Sequence, residues 1–234
     1  MRATQVAIVS AAGKGIGAAC ARELAGRGYA LALMSPSGSA SKLAEELGGI
    51  GLDGSVTQPA DLDRLVSTTL DVHGRIDAVV NNTGHAPKGP LLDLSDDDWL
   101  VGFDLIALSV IRIARLVTPI MRRQGGGATV NISTFAAFEP DARFPISATL
   151  RAALGSFTKL YADQHASDGI RMNNVLPGFV DSFPEDPDTV RSIPMGRYGR
   201  VEEIAKTVAF LLSADAGYIT GQNIRVDGGI TRSV

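Results

Sequence analysis

The sequence holds one cysteine, one tryptophan and three histidines among 234 residues. A lone Cys20 excludes an internal disulfide and any cysteine-rich metal site. His73, His85 and His165 are scattered, without the paired spacing of a zinc helix, so no metal site is expected. Basic clusters are missing as well. No run of Lys and Arg exceeds Arg122-Arg123, and the net charge is −3. With a pI near 5.6, this argues against nucleic-acid or anionic-membrane partners. Long apolar runs are absent too. The longest region, 105–117, is interrupted by Arg112 and Arg115 and is too short to span a bilayer. Met1-Arg2-Ala3-Thr4-Gln5 runs straight into a strand-like segment and lacks the apolar stretch of a signal peptide. These absences together point to a reducing cytoplasm.

Glycine is in surplus, with 26 residues, about 11% against a usual ~7%. The glycines show no triplet period, which excludes collagen. The surplus implies tight turns, or backbone that approaches a ligand closely. Hydrophobic residues make up 45% and charged residues 20%, an ordinary globular balance. The length suits one domain over residues 1–234. Short Val/Ile-rich runs at 6–9, 30–34, 76–80, 129–132 and 170–176 read as buried strands, and 224–226 forms a last, shorter one. Continuous apolar strands without polar alternation are typical of a parallel sheet covered on both faces. Helical spacing relates Leu150, Leu154, Phe157 and Tyr161, and again Val201, Ile204, Ala205, Val208, Leu211 and Leu212. Residues 61–70 and 99–121 are further helical candidates. The succession predicts an α/β fold: a single Rossmann-type doubly wound parallel sheet flanked by helices. The Pro- and acid-rich stretch 181–188 reads as a long, mobile loop.

The first strand ends in Ser10-Ala11-Ala12-Gly13-Lys14-Gly15-Ile16-Gly17, and a helical pattern follows through Cys20 and Leu24. A glycine-rich turn between strand and helix brings backbone to a pyrophosphate, and the helix start offers free N–H groups. Asn81-Asn82-Thr83-Gly84, Pro177-Gly178, Tyr218-Ile219-Thr220-Gly221-Gln222 and Val226-Asp227-Gly228-Gly229 complete a set of motifs. With these the chain resembles a short-chain dehydrogenase/reductase over essentially its whole length. Ala11 stands where the family has its first glycine.

The resemblance implies a nicotinamide dinucleotide held by Ser10 through Gly17, Asn82, Thr83, Gly84, Pro177, Gly178 and Val180. Ser182 matches a Thr that meets the nicotinamide amide. Ser55 and Val56 fall beside the adenine, with Ser55 replacing the usual Asp. The second strand ends Met34-Ser35-Pro36-Ser37, without the acidic residue that takes the ribose hydroxyls in NAD enzymes. Ser35 and Ser37 add hydroxyl donors, and Lys14 sits where a base often meets the 2′-phosphate. NADP(H) is therefore preferred, with NAD(H) as the other choice.

The family's catalytic set is a Tyr-x-x-x-Lys, a preceding Ser and an Asn. Anchored on Ala152-Ala153-Leu154, the Lys position falls on Arg151 and the Tyr position on Ser147. Thr134 takes the Ser position, with Ser133 just before it, and Asp104 the Asn position. Serine is shorter than tyrosine and far less acidic. Arginine keeps a charge for the ribose but cannot join a proton relay. Asp104 pairing with Arg151 would make the two changes a compensated set. Among the tyrosines, Tyr198 is a better substitute donor than Tyr29, Tyr161 or Tyr218. His85 either donates a proton beside the reacting ring or is an exposed loop histidine.

Residues 181–194 correspond to the substrate lid. Asp181, Glu185, Asp186 and Asp188 there read as a solvated acidic loop that would also disfavour strongly anionic substrates near it, while Phe135, Phe138, Phe144 and Phe183 either form an apolar substrate wall or, for some of them, pack in the core. Three readings stand. One is an NADP-linked oxidoreductase acting on a carbonyl or alcohol of a small molecule, with an altered proton donor. Another is a cofactor-binding relative without redox turnover, whether lyase, isomerase or sensor. The last is an inactive paralogue. Family members pair through the helix at 99–121 and the one starting near Ser147, so a homodimer or tetramer is expected.

Overall fold

A computed structural model describes residues 4–233, so part of the N-terminal segment read against a signal peptide lies outside the described residues. Seven parallel strands form one sheet in the order β3-β2-β1-β4-β5-β6-β7. They are β1 (Val6–Ser10), β2 (Ala30–Ser35), β3 (Ile50–Asp53), β4 (Ala78–Asn81), β5 (Gly127–Ile132), β6 (Ile170–Pro177) and β7 (Asn223–Val226). Every residue of β1 is buried, as a central strand covered on both faces requires. Six strands fall where the apolar runs stand. The seventh, β3, is a four-residue edge whose side chains alternate between half-buried and exposed, so it leaves no continuous apolar run.

Helices cover both faces. On one side α1 (Gly15–Gly26), α2 (Ser39–Leu47) and α8 (Val201–Leu212) bury Leu24, Leu43 and Val208 against Leu31, Leu33 and Val130. On the other, α3 (Pro59–His73) and α5 (Ser109–Arg123) bury Leu65, Val117 and Met121 against Ile8, Val79 and Met172. Between them, α4 (Asp96–Phe103) starts on a Ser95–Asp98 capping box, with three aspartates in its first turn. The helix expected over 99–121 is therefore divided: a π-helical turn, Asp104–Leu108, separates α4 from α5. Pro145 opens α6 (Pro145–His165), and Pro187 opens the short α7 (Pro187–Ser192), which begins at the end of the stretch 181–188 expected as a mobile loop.

A buried amide ladder ties the right half of the sheet together. Asn81 Nδ2 donates to Asn131 Oδ1 at 2.8 Å, and Asn131 Nδ2 donates to Asn174 Oδ1 at 2.8 Å. Asn174 Nδ2 continues to Asn223 Oδ1 at 2.7 Å. Thr158 of α6 joins by accepting from Asn131 at 3.1 Å and donating to Asn174 at 2.9 Å. The ladder fixes the strand ends that carry the site described next.

Candidate active site

The order of strands reverses between β1 and β4, the place where open α/β sheets bind ligands beyond their carboxyl ends. Ser10 closes that end: its hydroxyl donates to the Asn82 carbonyl at 2.7 Å and accepts from Asn82 N at 3.0 Å. Asn82 Nδ2 then holds the Ala11 carbonyl at 3.2 Å. A Cβ on Gly17 would run into that same carbonyl. Ala11 itself adopts φ 45°, the left-handed region that an L residue enters at a cost. Gly15 follows with φ 54°, and Ser182 lies over it, 3.5 Å from where a Cβ would stand. Lys14 gives α1 no side-chain cap, so the first-turn N–H groups stay available to an anion.

Beyond the end of β2, three hydroxyls meet. Ser39 lies 2.7 Å from Ser37 and 3.3 Å from Ser35, while Ser35 Oγ accepts from Ala40 N at 3.0 Å. A Cβ on Gly13 would collide with Ser39. The cluster stands at the N-terminus of α2, which has no side-chain cap and no acid in its first turn. Ser39 escaped the sequence reading because α2 itself was not foreseen. One carboxylate escaped it as well: Asp53, at the end of β3, accepts from Ser41 Oγ at 2.8 Å and approaches the Gly38 turn. Ser55 N donates to Asp61 at 2.9 Å and its hydroxyl pairs with Thr57 at 2.8 Å, while Val56 is buried in the core under α3.

Beside the glycine turn opens a cleft of about 360 Å³ that brings together Ile16, Asn82, Thr83, Gly84, Ser133, Thr134, Ser147, Arg151, Pro177, Gly178 and Val180. Arg151 is its hub. Its Nε donates to Ser147 Oγ at 3.2 Å, one Nη to Thr83 Oγ1 at 3.2 Å, and the other to the Ile132 carbonyl. Burial pushes the guanidinium down to about 10, so it stays charged at neutral pH. Thr134 Oγ1 accepts from Ala136 N, which leaves its own proton free. Ser133 is buried, and its hydroxyl has no hydrogen-bond partner among the described residues.

Several expectations are corrected here. Asp104 does not pair with Arg151 and does not line the cleft; it forms an ion pair with Arg112 at 2.5 Å. The π-helical turn sets Asp104 apart from the cleft, and Ile106 packs behind α6 against Ile146 and Leu154. Phe138 is also outside: it is exposed beneath Arg225, and Phe179 joins Phe135, Phe144 and Phe183 in the wall instead. Three of the four lid acids have local partners, and Asp186 also lines the cleft. Asp186 caps α7 through Thr189 N at 2.9 Å, Asp188 pairs with Arg191, and Asp181 accepts from Val201 N at 3.0 Å.

His85 does line the cleft, tilted against Phe183 with ring centres 5.2 Å apart. Burial, then the charges of Lys88, Arg151 and Lys14, hold its pKa below the ordinary value of 6.5. Of the tyrosines, Tyr198 alone lines the cleft, with its hydroxyl accepting from Asp186 N at 3.3 Å. Tyr29 is buried in the core, Tyr161 bonds Thr118 at 2.6 Å, and Tyr218 is fully exposed. Cys20 is buried in α1, and that burial pushes its thiol up to about 12. Among the described residues no group of His, Cys, Asp and Glu stands where it could hold a metal ion. Nor is any helix among them long and apolar enough to cross a membrane.

The seven-stranded parallel sheet, the glycine turn and the cleft at the switch point define a Rossmann-type dinucleotide-binding protein. Residues 10–231 match the family profile described as Enoyl-(Acyl carrier protein) reductase. The chain is 34% identical to a 3-oxoacyl-[acyl-carrier-protein] reductase of Synechocystis sp., covering 97% of this chain and 96% of that one. It is 33% identical to Dehydrogenase/reductase SDR family member 4 of Oryctolagus cuniculus, covering 97% and 94%. Among solved structures it is similar to YwfH, an NADPH dependent reductase involved in bacilysin biosynthesis. That likeness has a TM-score of 0.93 and 26% identity, over 99% of this chain and 100% of the other. The chain belongs to the short-chain dehydrogenase/reductase family and is an oxidoreductase of that type.

Proposed function

We propose that residues 1–234 act as one domain, an NADP(H)-dependent oxidoreductase that interconverts a carbonyl and an alcohol on a small molecule, using an altered proton donor. The observation that carries this reading is the convergence of Thr134, Ser147 and Arg151 on the cleft beside the glycine turn. The residues present fit the dinucleotide. Gly13 and Gly17 let the turn pack tightly against Ser39 and the Ala11 carbonyl, and the uncapped start of α1 leaves N–H groups for the pyrophosphate. The hydroxyls of Ser35, Ser37 and Ser39 at the uncapped α2 suit a 2′-phosphate. Arg151 and Thr83 would hold the nicotinamide ribose, and Ser182 the amide. When bound, NADPH supplies the hydride.

The chain's own residues handle the oxygen. Arg151 Nε donates to Ser147 Oγ, so the Ser147 proton is free to turn toward a substrate carbonyl. Thr134 offers a second proton to the same oxygen. As the hydride adds to carbon, negative charge builds on that oxygen. Ser147 passes its proton to it, and the buried guanidinium stabilises the charge. Solvent reaching the cleft restores the serine proton. At pH 7 His85 is neutral and stands by as a wall of the cleft.

Oligomerisation belongs to the same reading. Leu100, Val101 and Phe103 of α4 and Leu160 of α6 are exposed apolar residues that a second copy would cover in a dimer or tetramer. The test combines fluorescence titration of NADPH and NADH with NADPH consumption over ketones, aldehydes and imines. NADPH binding with turnover that falls at least tenfold in Ser147→Ala and Arg151→Met is expected. Binding without turnover on the whole panel would transfer the protein to the non-redox reading.

A further inference from the structure

A narrow recess of about 40 Å³ opens off the cleft between the segment after β4 and the start of α6. His85, Lys88, Phe144, Ser147 and Arg151 line it, and no carboxylate does. Lys88 Nζ stands 4.8 Å from the Phe144 ring centre. Arg151 spends its donors on Ser147, Thr83 and a backbone carbonyl, all uncharged partners. Among the described residues neither cation has an acidic partner within ion-pair distance. The third cation of the cleft differs: Arg143, stacked 5.0 Å from the Phe179 ring centre, is neutralised by a forked pair with Asp141.

A buried guanidinium without a counter-charge, as Arg151 is, is costly unless a ligand brings the charge, and the exposed Lys88 at the rim adds a second cation that can reach the same ligand. We infer that this recess is an anion subsite and that the substrate is a carboxylate-bearing carbonyl compound, its carboxylate lying between Lys88 and Arg151. The inference rests on the oxidoreductase reading for the carbonyl, and on the recess alone for the anion. A carboxylate fits the space, since one water needs only about 10–15 Å³ of such a cavity and the recess offers about 40 Å³. The positive field already acts on the one titratable neighbour: Lys88 and Arg151 both help to hold the His85 pKa down. Phe144, Phe179 and Phe183 would accept an apolar or aromatic remainder of the substrate along the adjoining wall. No acid of the lid lines the recess among the described residues, although Asp186 lines the adjoining cleft.

Benzoate and benzamide test the inference, being nearly equal in shape and differing in charge. Their affinities are measured by calorimetry for the protein with and without saturating NADPH, for wild type and Lys88→Gln. Benzoate is expected to bind about tenfold tighter than benzamide, and Lys88→Gln to abolish that preference. Benzamide and NADPH affinities should stay unchanged in the variant, and added salt should weaken benzoate alone. Benzoate that binds no tighter than benzamide, or a preference that survives in Lys88→Gln, would overturn the subsite. Failure of NADPH to bind would sink the oxidoreductase reading instead, and the subsite would then be judged on the nucleotide-free arm.

Discussion

Replacing Asn131 by alanine removes the centre of the amide ladder. Three side-chain hydrogen bonds disappear: the one received from Asn81 and the two given to Asn174 and Thr158. A buried hydrogen bond contributes about 1 kcal/mol net, so their loss costs about 3 kcal/mol. Asn174 Oδ1 still accepts from Thr158, but the Asn81 amide loses the partner to which it donates. Leaving such a donor buried adds about 1 kcal/mol, which a water entering the vacated space would partly offset. The expected total is about 3–4 kcal/mol. In a domain of this length 1 kcal/mol moves Tm by about 2–4 °C, so Tm should fall by about 6–16 °C. Urea unfolding followed by circular dichroism at fixed protein concentration gives the free energy directly. Thr158→Val supplies the internal comparison. A cost below about 1 kcal/mol for Asn131→Ala would refute the claim that the ladder is a coupled unit.

Other perturbations address the site. Ala11→Gly should stabilise the protein by about 1 kcal/mol, read as a rise in urea midpoint, because glycine adopts φ 45° without the Cβ clash. Asp53→Asn removes a carboxylate near the Gly38 turn, so the NADPH-over-NADH affinity ratio should rise several-fold by fluorescence titration. His85 is neutral at pH 7, so His85→Ala should keep turnover there within about twofold; a full loss would reassign the proton donor to it. Its depressed pKa also sets a sign: as pH falls below the ordinary 6.5, the unfolded chain takes up a proton before the folded one does. Folded stability therefore decreases on acidification through that window, and His85→Ala should flatten the slope of the unfolding midpoint against pH.

Much of the fold could be read in advance because buried parallel strands leave continuous apolar runs and the phosphate turn leaves glycines. What was missed lies at the edge. β3 is short and half exposed, and α2 follows a left-handed Gly38 without a side-chain cap, so neither carries its usual signal. With them went Ser39 and Asp53, which come near the nucleotide turn only through those two elements. The Asn ladder was visible as letters and invisible as a ladder. Asn81, Asn131, Asn174 and Asn223 become a row only once the registers Asn81↔Asn131, Asn131↔Asn174 and Asn174↔Asn223 are known.

The site was legible in its residue types and less so in its pairings. Asp104 was assigned to Arg151 by charge alone, whereas the π-helical turn delivers it to Arg112 on the next helix. The acidic lid suggested repulsion of anions, yet three of its carboxylates cap helices or pair locally, and in the cleft Asp186 stands with the cations Lys88, Arg143 and Arg151. Local sequence does not tell a committed acid from a free one; the hydrogen-bond partners do.

The most direct test of the account follows the hydride. The protein is loaded with NADPH deuterated at the transferring position of the nicotinamide, offered carbonyl compounds with and without a carboxylate, and the alcohol products are examined by mass spectrometry. The account predicts deuterium on the carbinol carbon of a carboxylate-bearing product, with the yield cut at least tenfold in Ser147→Ala. Bound NADPH that transfers no deuterium to any carbonyl compound would contradict it.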